Sequence, residues 1–156
     1  MSDMLVKLYA LPDLEVEVAT QRSQGVEIRR AKAPERELVV GWVSRTFRER
    51  WGNQCSQTFG HLPPTCLIAV REKDILGFAC YDAVFRGVFG PTGVAETERE
   101  RGIGRALLIA ALHTMREDGY IYGIVGRVGP VDFYARHAGA VVIKDSDPGM
   151  FTQLLR

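Results

Sequence analysis

A chain of 156 residues, 46% of them hydrophobic and 25% charged, has the size and composition of one globular domain, and its apolar content makes a core that needs no staple. A formal net charge of +1 removes the electrostatic motive for nucleic acid or an anionic membrane as the main partner. No apolar run is long enough to span a bilayer and the first residues lack the core of a signal peptide, so a cytoplasmic location is expected.

Met4 to Tyr9 reads as a short strand. Pro12-Asp13 opens a segment that reads two ways. Glu15 and Glu17 near its start and Gly25 after its end are helix punctuation, whereas the alternation Leu14, Val16, Val18 belongs to a strand. Val26 to Arg30 is again strand-like. From Pro34 onward, Leu38, Val39, Trp42, Val43 and Phe47 recur at helical spacing, predicting one helix to about Trp51. The polar stretch from Gly52 to His61 has room for a short helix before Pro63-Pro64.

Thr65 to Arg71 and Ile75 to Asp82 are apolar strands around the hairpin-sized Glu72-Lys73-Asp74. Gly87 to Ala95 follows as a strand whose pairing is disturbed at Gly90-Pro91. Ile103, Leu107, Leu108, Ala111, Leu112 and Met115 then form one helical stripe, ended by Gly119. Tyr120 to Arg127 is a strand. Pro130 stands at a first helical position, Asp132 in the favourable first turn, and Gly139 closes that short helix. Ala140 to Lys144 is the last strand. The pattern predicts an α/β fold of the α+β kind, a mixed and mostly antiparallel twisted sheet with helices on both faces. Without repeat or linker, residues 1–156 form one expected domain, with 1–25 as an N-terminal extension and 26–144 as the core.

The three cysteines, Cys55, Cys66 and Cys80, are an odd number without metal-ligand spacing. They are expected to be reduced; Cys66 and Cys80, in apolar runs, read as small hydrophobes, and no metal is expected.

The chemistry concentrates in Arg99-Glu100-Arg101-Gly102-Ile103-Gly104-Arg105. Here a strand ending at Val94-Ala95 feeds a charged turn with two glycines, and a helix begins at once. A helix start leaves backbone N–H groups unpaired and carries roughly half a positive charge. The glycines let backbone approach a phosphate, and Arg99, Arg101 and Arg105 add charge-assisted hydrogen bonds. A pyrophosphate suits such a turn, and so does a plain charged helix cap. Leu107 stands where a dinucleotide fingerprint needs a third Gly or Ala, and the Lys-Ser/Thr ending of a nucleotide P-loop is missing.

Arg99-x-x-Gly102-x-Gly104 after a Val-containing strand and before a Leu-rich helix resembles the central motif of the GNAT acetyltransferase superfamily. Tyr120 to Arg127, followed by Val131-Asp132-Phe133-Tyr134-Ala135-Arg136-His137-Ala138-Gly139-Ala140, resembles that family's next segment. The likeness runs from Val26 to Lys144. It implies a sheet splayed between the fourth and fifth core strands, with the pantetheine arm of acetyl-CoA, the cosubstrate, in the opening.

The same resemblance implies that Val94, Ala95, Arg99, Arg101, Gly102, Ile103, Gly104, Arg105 and Ala106 bind the cofactor, that a backbone N–H near Val94 receives the oxyanion, and that Tyr134 is the general acid. A phenol near pKa 10 protonates a thiolate whose acid lies near 8.5 at a cost of roughly 2 kcal/mol. Tyr134 is otherwise a packing aromatic beside Phe133. For the base, Glu96 and Asp82 are the candidates, each otherwise a solvated carboxylate; Glu98 and Glu100 read as solvated. Tyr81 and Phe89 suit either the cleft or the core. His61 and His113 read as structural; His137, three residues after Tyr134, reads as its neighbour or, by preference, as a surface residue; Trp51 and Cys55 read as acceptor-side residues, Trp51 equally as packing.

The chain departs from the family pattern in lacking an asparagine at the head of the last helix, where Arg127 and Gly129-Pro130 stand, and in lacking a legible final strand after Asp145. The residues before Val26 are expected to cover the acceptor cleft or to make a homodimer contact. The expected partner is an amine of a small molecule or a peptide. The competing expectations are a non-catalytic acyl-CoA sensor acting on a protein, and a nucleotide-binding module.

Overall fold

The structure, a computed structural model, describes residues 1–126 and 130–155, so the expectations for Arg127 and Gly129 lie outside the described residues. Among the described residues, seven strands form one sheet in the order β2-β3-β4-β5-β6-β1-β7: β1 Met4–Lys7, β2 Glu27–Arg30, β3 Cys66–Arg71, β4 Asp74–Tyr81, β5 Val88–Val94, β6 Tyr122–Val125 and β7 Val141–Val142. Of the described pairings, β5–β6 is parallel and the rest are antiparallel. The α-helices among the described residues are α1 Leu14–Ser23, α2 Arg36–Thr46, α3 Glu49–Gln57, α4 Ile103–Glu117 and α5 Val131–Ala138. The mixed, mostly antiparallel sheet with helices on both faces matches the sequence-based expectation.

Strand alternation sorts the side chains into two cores. Leu67, Ala69, Ala79 and Tyr81 join the α4 stripe of Ile103, Leu107, Leu108, Ala111, Leu112 and Met115 on one face. Cys66, Ile68, Phe78 and Cys80 meet Val39, Val43 and Cys55 of α2 and α3 on the other.

Three expectations change. The segment after Pro12 is a helix: Asp13 accepts a hydrogen bond from the Glu15 amide (2.9 Å) as N-cap, and Val16, a member of the strand-like alternation, is exposed. The single helix expected from Pro34 to Trp51 is two helices, broken where Phe47 and Arg48 leave helical geometry. Phe47 continues the apolar spacing, but its ring lies where Gly93 has no Cβ, so packing on β5 overrides the helix. Residues 1–25 are not an appendage. Met4, Val6 and Leu8 are buried, β1 lies between β6 and β7, and α1 packs on α4. Among the described residues no strand follows β7, and a 3₁₀ turn spans Met150–Gln153.

The edge strand β2 is tied to the entrance of α2 by a bidentate pair, Arg29 donating to both Glu35 carboxylate oxygens at 2.9 and 2.7 Å. That guanidinium holds the Glu35 carboxyl down to about 2. A carboxyl whose folded pKa is depressed stabilises the fold above its unfolded pKa, and the stabilisation is lost as pH falls toward 2. The pair is partly open to solvent, so Glu35→Gln is expected to cost about 1–2 kcal/mol at pH 7 in denaturant unfolding. The difference from wild type should shrink below pH 4. A pH-independent difference would assign the effect to packing.

Candidate active site

The strand pair β5–β6 is the point where the sheet opens. Val88 faces Ile124 and Phe89 faces Val125, after which β5, among the described residues, continues paired only with β4, through Thr92, Gly93 and Val94. A cavity of about 1440 Å³ fills the opening. Its walls are β5 from Phe89 to Val94, the start of α4, one face of α5, the α2–α3 junction with Phe47, Arg48 and Trp51, and the C-terminal Phe151, Thr152 and Leu154.

At one end stands the N-terminus of α4. Gly102 precedes it at φ 81°, a left-handed conformation that costs a residue with a Cβ roughly 1 kcal/mol, and an added Cβ would lie 3.1 Å from Gln21 Nε2. The Ala106 amide donates to the Gly102 carbonyl (3.0 Å), so the amides of Ile103, Gly104 and Arg105 precede the first intrahelical bond. The first turn holds no acidic side chain. Gly104 differs from Gly102: a Cβ there would meet only Val94 Cγ2, at an ordinary 3.5 Å. Protein packing does not demand that glycine, and the room it leaves belongs to the cavity.

The residues expected to hold the cofactor divide. Val94, Arg99, Gly102, Ile103, Gly104 and Arg105 line the cavity; Ala95, Arg101 and Ala106 do not. Ala106 is fully buried in the core, and the Arg101 guanidinium leans toward Glu98 at 3.7 Å while its carbonyl accepts from Gln21 Nε2 at 3.0 Å. The Ala95 amide donates to the Leu76 carbonyl (2.8 Å). By the alternation of an antiparallel ladder, Val94 then turns its own amide and carbonyl toward the open edge. Arg99 Nε donates to that carbonyl at 3.3 Å, and Arg105 Nε pairs with Glu17 of α1 at 2.7 Å. Residues from α1 therefore brace the glycine turn.

The base candidates fare differently. Glu96 is exposed in a 3₁₀ turn and does not line the cavity. Glu98, read from the sequence as solvated, is buried and bonded by Arg71, whose guanidinium lowers the carboxyl pKa. Asp82 also lies outside the cavity lining; it accepts from the Tyr120 hydroxyl (2.9 Å) and the Gly87 amide (2.7 Å). Tyr81 is a core residue donating to Asp118, and Phe89 lines the cavity. His61 is exposed, and His113 Nε2 donates to the Pro12 carbonyl at 2.8 Å. Trp51 lines the cavity, whereas Cys55 is buried away from it.

Tyr134 reaches the cavity from α5, only 8% exposed, with Phe89 and Phe133 set edge-on at centroid distances of 6.2 and 5.2 Å. Burial pushes its phenol up to about 12. One turn further on, His137 also lines the cavity, its ring edge-on to Phe133 at 4.8 Å. Its Nδ1 is buried without a partner among the described residues, and burial, followed by Arg105 and Arg136, lowers its pKa. The spacing from Tyr134 placed the two on one helix face, the only signal the sequence held for it.

The C-terminal turn left no sequence signal at all. Phe151 stacks on Phe85 at 6.0 Å, fills the space beside Gly126, and is held by Asp3, which accepts from the Met150 amide at 3.1 Å. Met1 lines the same cavity, so the N-terminal residues do contribute to its wall.

Known proteins agree with this geometry. The profile of the acetyltransferase (GNAT) family matches residues 35–140. Comparison with curated protein sequences returns no significant match. Among solved structures, a GCN5-related glucosamine N-acetyltransferase region of a fungal multi-domain GH3 β-N-acetylglucosaminidase superposes with TM-score 0.73 at 17% identity over 91% of this chain and 19% of that one. A GCN5-related N-acetyltransferase from Sphaerobacter thermophilus gives 0.63 at 21% identity, over 91% of this chain and 48% of its own. A GNAT family acetyltransferase from Brucella melitensis, solved with acetyl-CoA, gives 0.56 at 18% identity over 71% and 80%. The chain thus spans about a fifth and about half of the first two. These likenesses establish the fold. With the opened strand pair, the glycine turn and α5 all inside the matched residues, the chain belongs to the GNAT acetyltransferase family.

Proposed function

We propose that the chain acts as a single N-acetyltransferase domain, moving the acetyl group of acetyl-CoA to a primary amine of a small molecule or peptide by direct attack. The observation that carries the reading is the convergence of the unpaired α4 amides, the outward-facing Val94 backbone and the Tyr134 side chain on one cavity. The amides of residues 103–105, with Arg99 and Arg105, would bind the pyrophosphate. The Val94 amide would receive charge developing on the thioester oxygen, and Tyr134 would return a proton to the departing sulfur.

The carboxylates lining the cavity among the described residues are Glu98, at the end of the 3₁₀ turn and committed to Arg71, and Glu100, in the glycine turn. From its exposed position Glu96 would reach an acceptor only through water. The reading therefore favours acceptors that need little help: at pH 7 an amine of pKa near 8 costs roughly 1–2 kcal/mol to deprotonate, one near 10.4 about 4–5. Release of CoA thiol across a panel of amines graded by pKa is the test. Turnover is expected, with kcat/KM at pH 7 falling as amine pKa rises. Tight acetyl-CoA binding without turnover on any amine would instead support the sensor.

A further inference from the structure

All three cysteines of the chain meet at one point. Cys55 comes from α3, Cys66 from β3 and Cys80 from β4, yet the three Sγ atoms lie within 4.8 Å of one another, with Cys55 and Cys66 at 4.0 Å. Cys66 and Cys80 are direct cross-strand partners on the face that α2 and α3 cover. All three are free thiols, fully buried among Ile68, Phe78, Val39 and Val43, and none lines the cavity. Cores use cysteine as a small hydrophobe without regard to its neighbours. Convergence of every thiol in the chain, from three separate elements, is a donor arrangement.

We propose that this cluster is a three-sulfur binding site for a soft, monovalent metal ion of the copper(I) class. The donors decide the class: among the described residues the cluster contains sulfur only, with no imidazole or carboxylate. Such a set selects soft ions over magnesium, calcium or manganese. Geometry decides the coordination number. A metal about 2.3 Å from each of three sulfurs in a plane holds them about 4.0 Å apart, the Cys55–Cys66 separation, and the third sulfur needs to move by less than an ångström. Zinc asks for a fourth donor. The adjacent Thr58, which donates to the Cys55 carbonyl at 2.6 Å, offers a neutral hydroxyl and not the thiolate, imidazole or carboxylate that zinc takes.

The ligand is the thiolate, so each sulfur that binds the ion gives up its proton to solvent. The site clamps α3 to the sheet. Since α3 also carries Trp51 to the cavity wall, occupancy would stiffen that wall.

The test uses the full chain, reduced and anaerobic, with copper(I) supplied against a chromophoric chelator and zinc(II) in parallel. Because the thiols are enclosed, each metal is offered to the folded protein and during refolding. One equivalent of copper(I) is expected, with an ultraviolet thiolate-to-copper band and a loss of affinity of at least 100-fold in Cys55→Ser and in Cys80→Ala, their folding checked by circular dichroism. Copper-edge absorption on the wild type, which needs no variant, should report three sulfurs at about 2.3 Å. A stoichiometry below one fifth, two-sulfur coordination, zinc bound in preference, or affinity unchanged in the cysteine variants would each overturn the proposal and leave an unmetallated thiol cluster.

Discussion

Replacing Gly104 by glutamate is expected to remove CoA binding while leaving the fold as stable as before, or slightly more so. The two effects have opposite signs, and this makes the variant informative. Gly104 sits in the first turn of α4 with a negative φ, and a side chain there meets nothing closer than Val94 Cγ2 at 3.5 Å. Glycine inside a helix costs roughly 1 kcal/mol against better helix formers, and a carboxylate in a first turn gains about 0.3–1 kcal/mol from the helix dipole. Denaturant unfolding should therefore show unchanged or raised stability. The same carboxylate enters the cavity where a phosphate would lie. Two like charges about 5 Å apart at an effective dielectric near 20 repel by about 3 kcal/mol, roughly 100-fold in Kd. Calorimetric titration with CoA reads this directly. An unchanged Kd in a folded Gly104→Glu protein would mean that the ligand is not seated at the start of α4. Gly102 is the poorer choice, because its φ of 81° and its contact with Gln21 would confound folding with binding.

The sequence was most legible where one local rule acted alone. The stripe from Ile103 to Met115 has the period of a helix with one buried face, and all six of its members are buried. Helix α1 was ambiguous because the residues it buries are polar: Glu17 faces Arg105 and Gln21 faces the Arg101 carbonyl, contacts made by residues about eighty positions away. No hydrophobic period can report such a face. The break at Phe47 hid for the converse reason, since the apolar spacing continues while a contact with Gly93 decides the geometry. Gly102 and Tyr134, singled out by local spacing, both line the cavity. Which acid of the turn at Glu96–Glu98 faces inward depended on Arg71 from β3, and the inward one is Glu98. The cysteines illustrate the limit: positions 55, 66 and 80 have no ligand spacing in the chain, yet their sulfurs converge.

Tyr134→Phe is expected to lower kcat by at least 100-fold while leaving the affinity for acetyl-CoA close to wild type. The ring's edge-on contacts with Phe89 and Phe133 do not involve the hydroxyl, so phenylalanine keeps the packing and removes only the proton. Burial raises the energy question. A phenol pushed up to about 12 stands 3.5 units above a thiol near 8.5, so the transfer costs about 5 kcal/mol instead of the roughly 2 that an unperturbed phenol implies. The departing thiolate, however, would form beside the same buried phenol, and desolvation there raises the pKa of its acid too. The mismatch therefore lies between those two figures, within what a positioned general acid contributes. The pH dependence follows in sign. Tyr134 stays protonated until pH approaches 12, so the proposed acid role would be intact throughout the working range and would produce no alkaline limb there. Wild-type rate should rise with pH until the acceptor amine is deprotonated and then level off. Tyr134→Phe should show the same rise on a floor at least 100-fold lower. A Phe variant within threefold of wild type would transfer the acid role to water or to another residue of the cavity, of which His137, one turn away, is the nearest along α5.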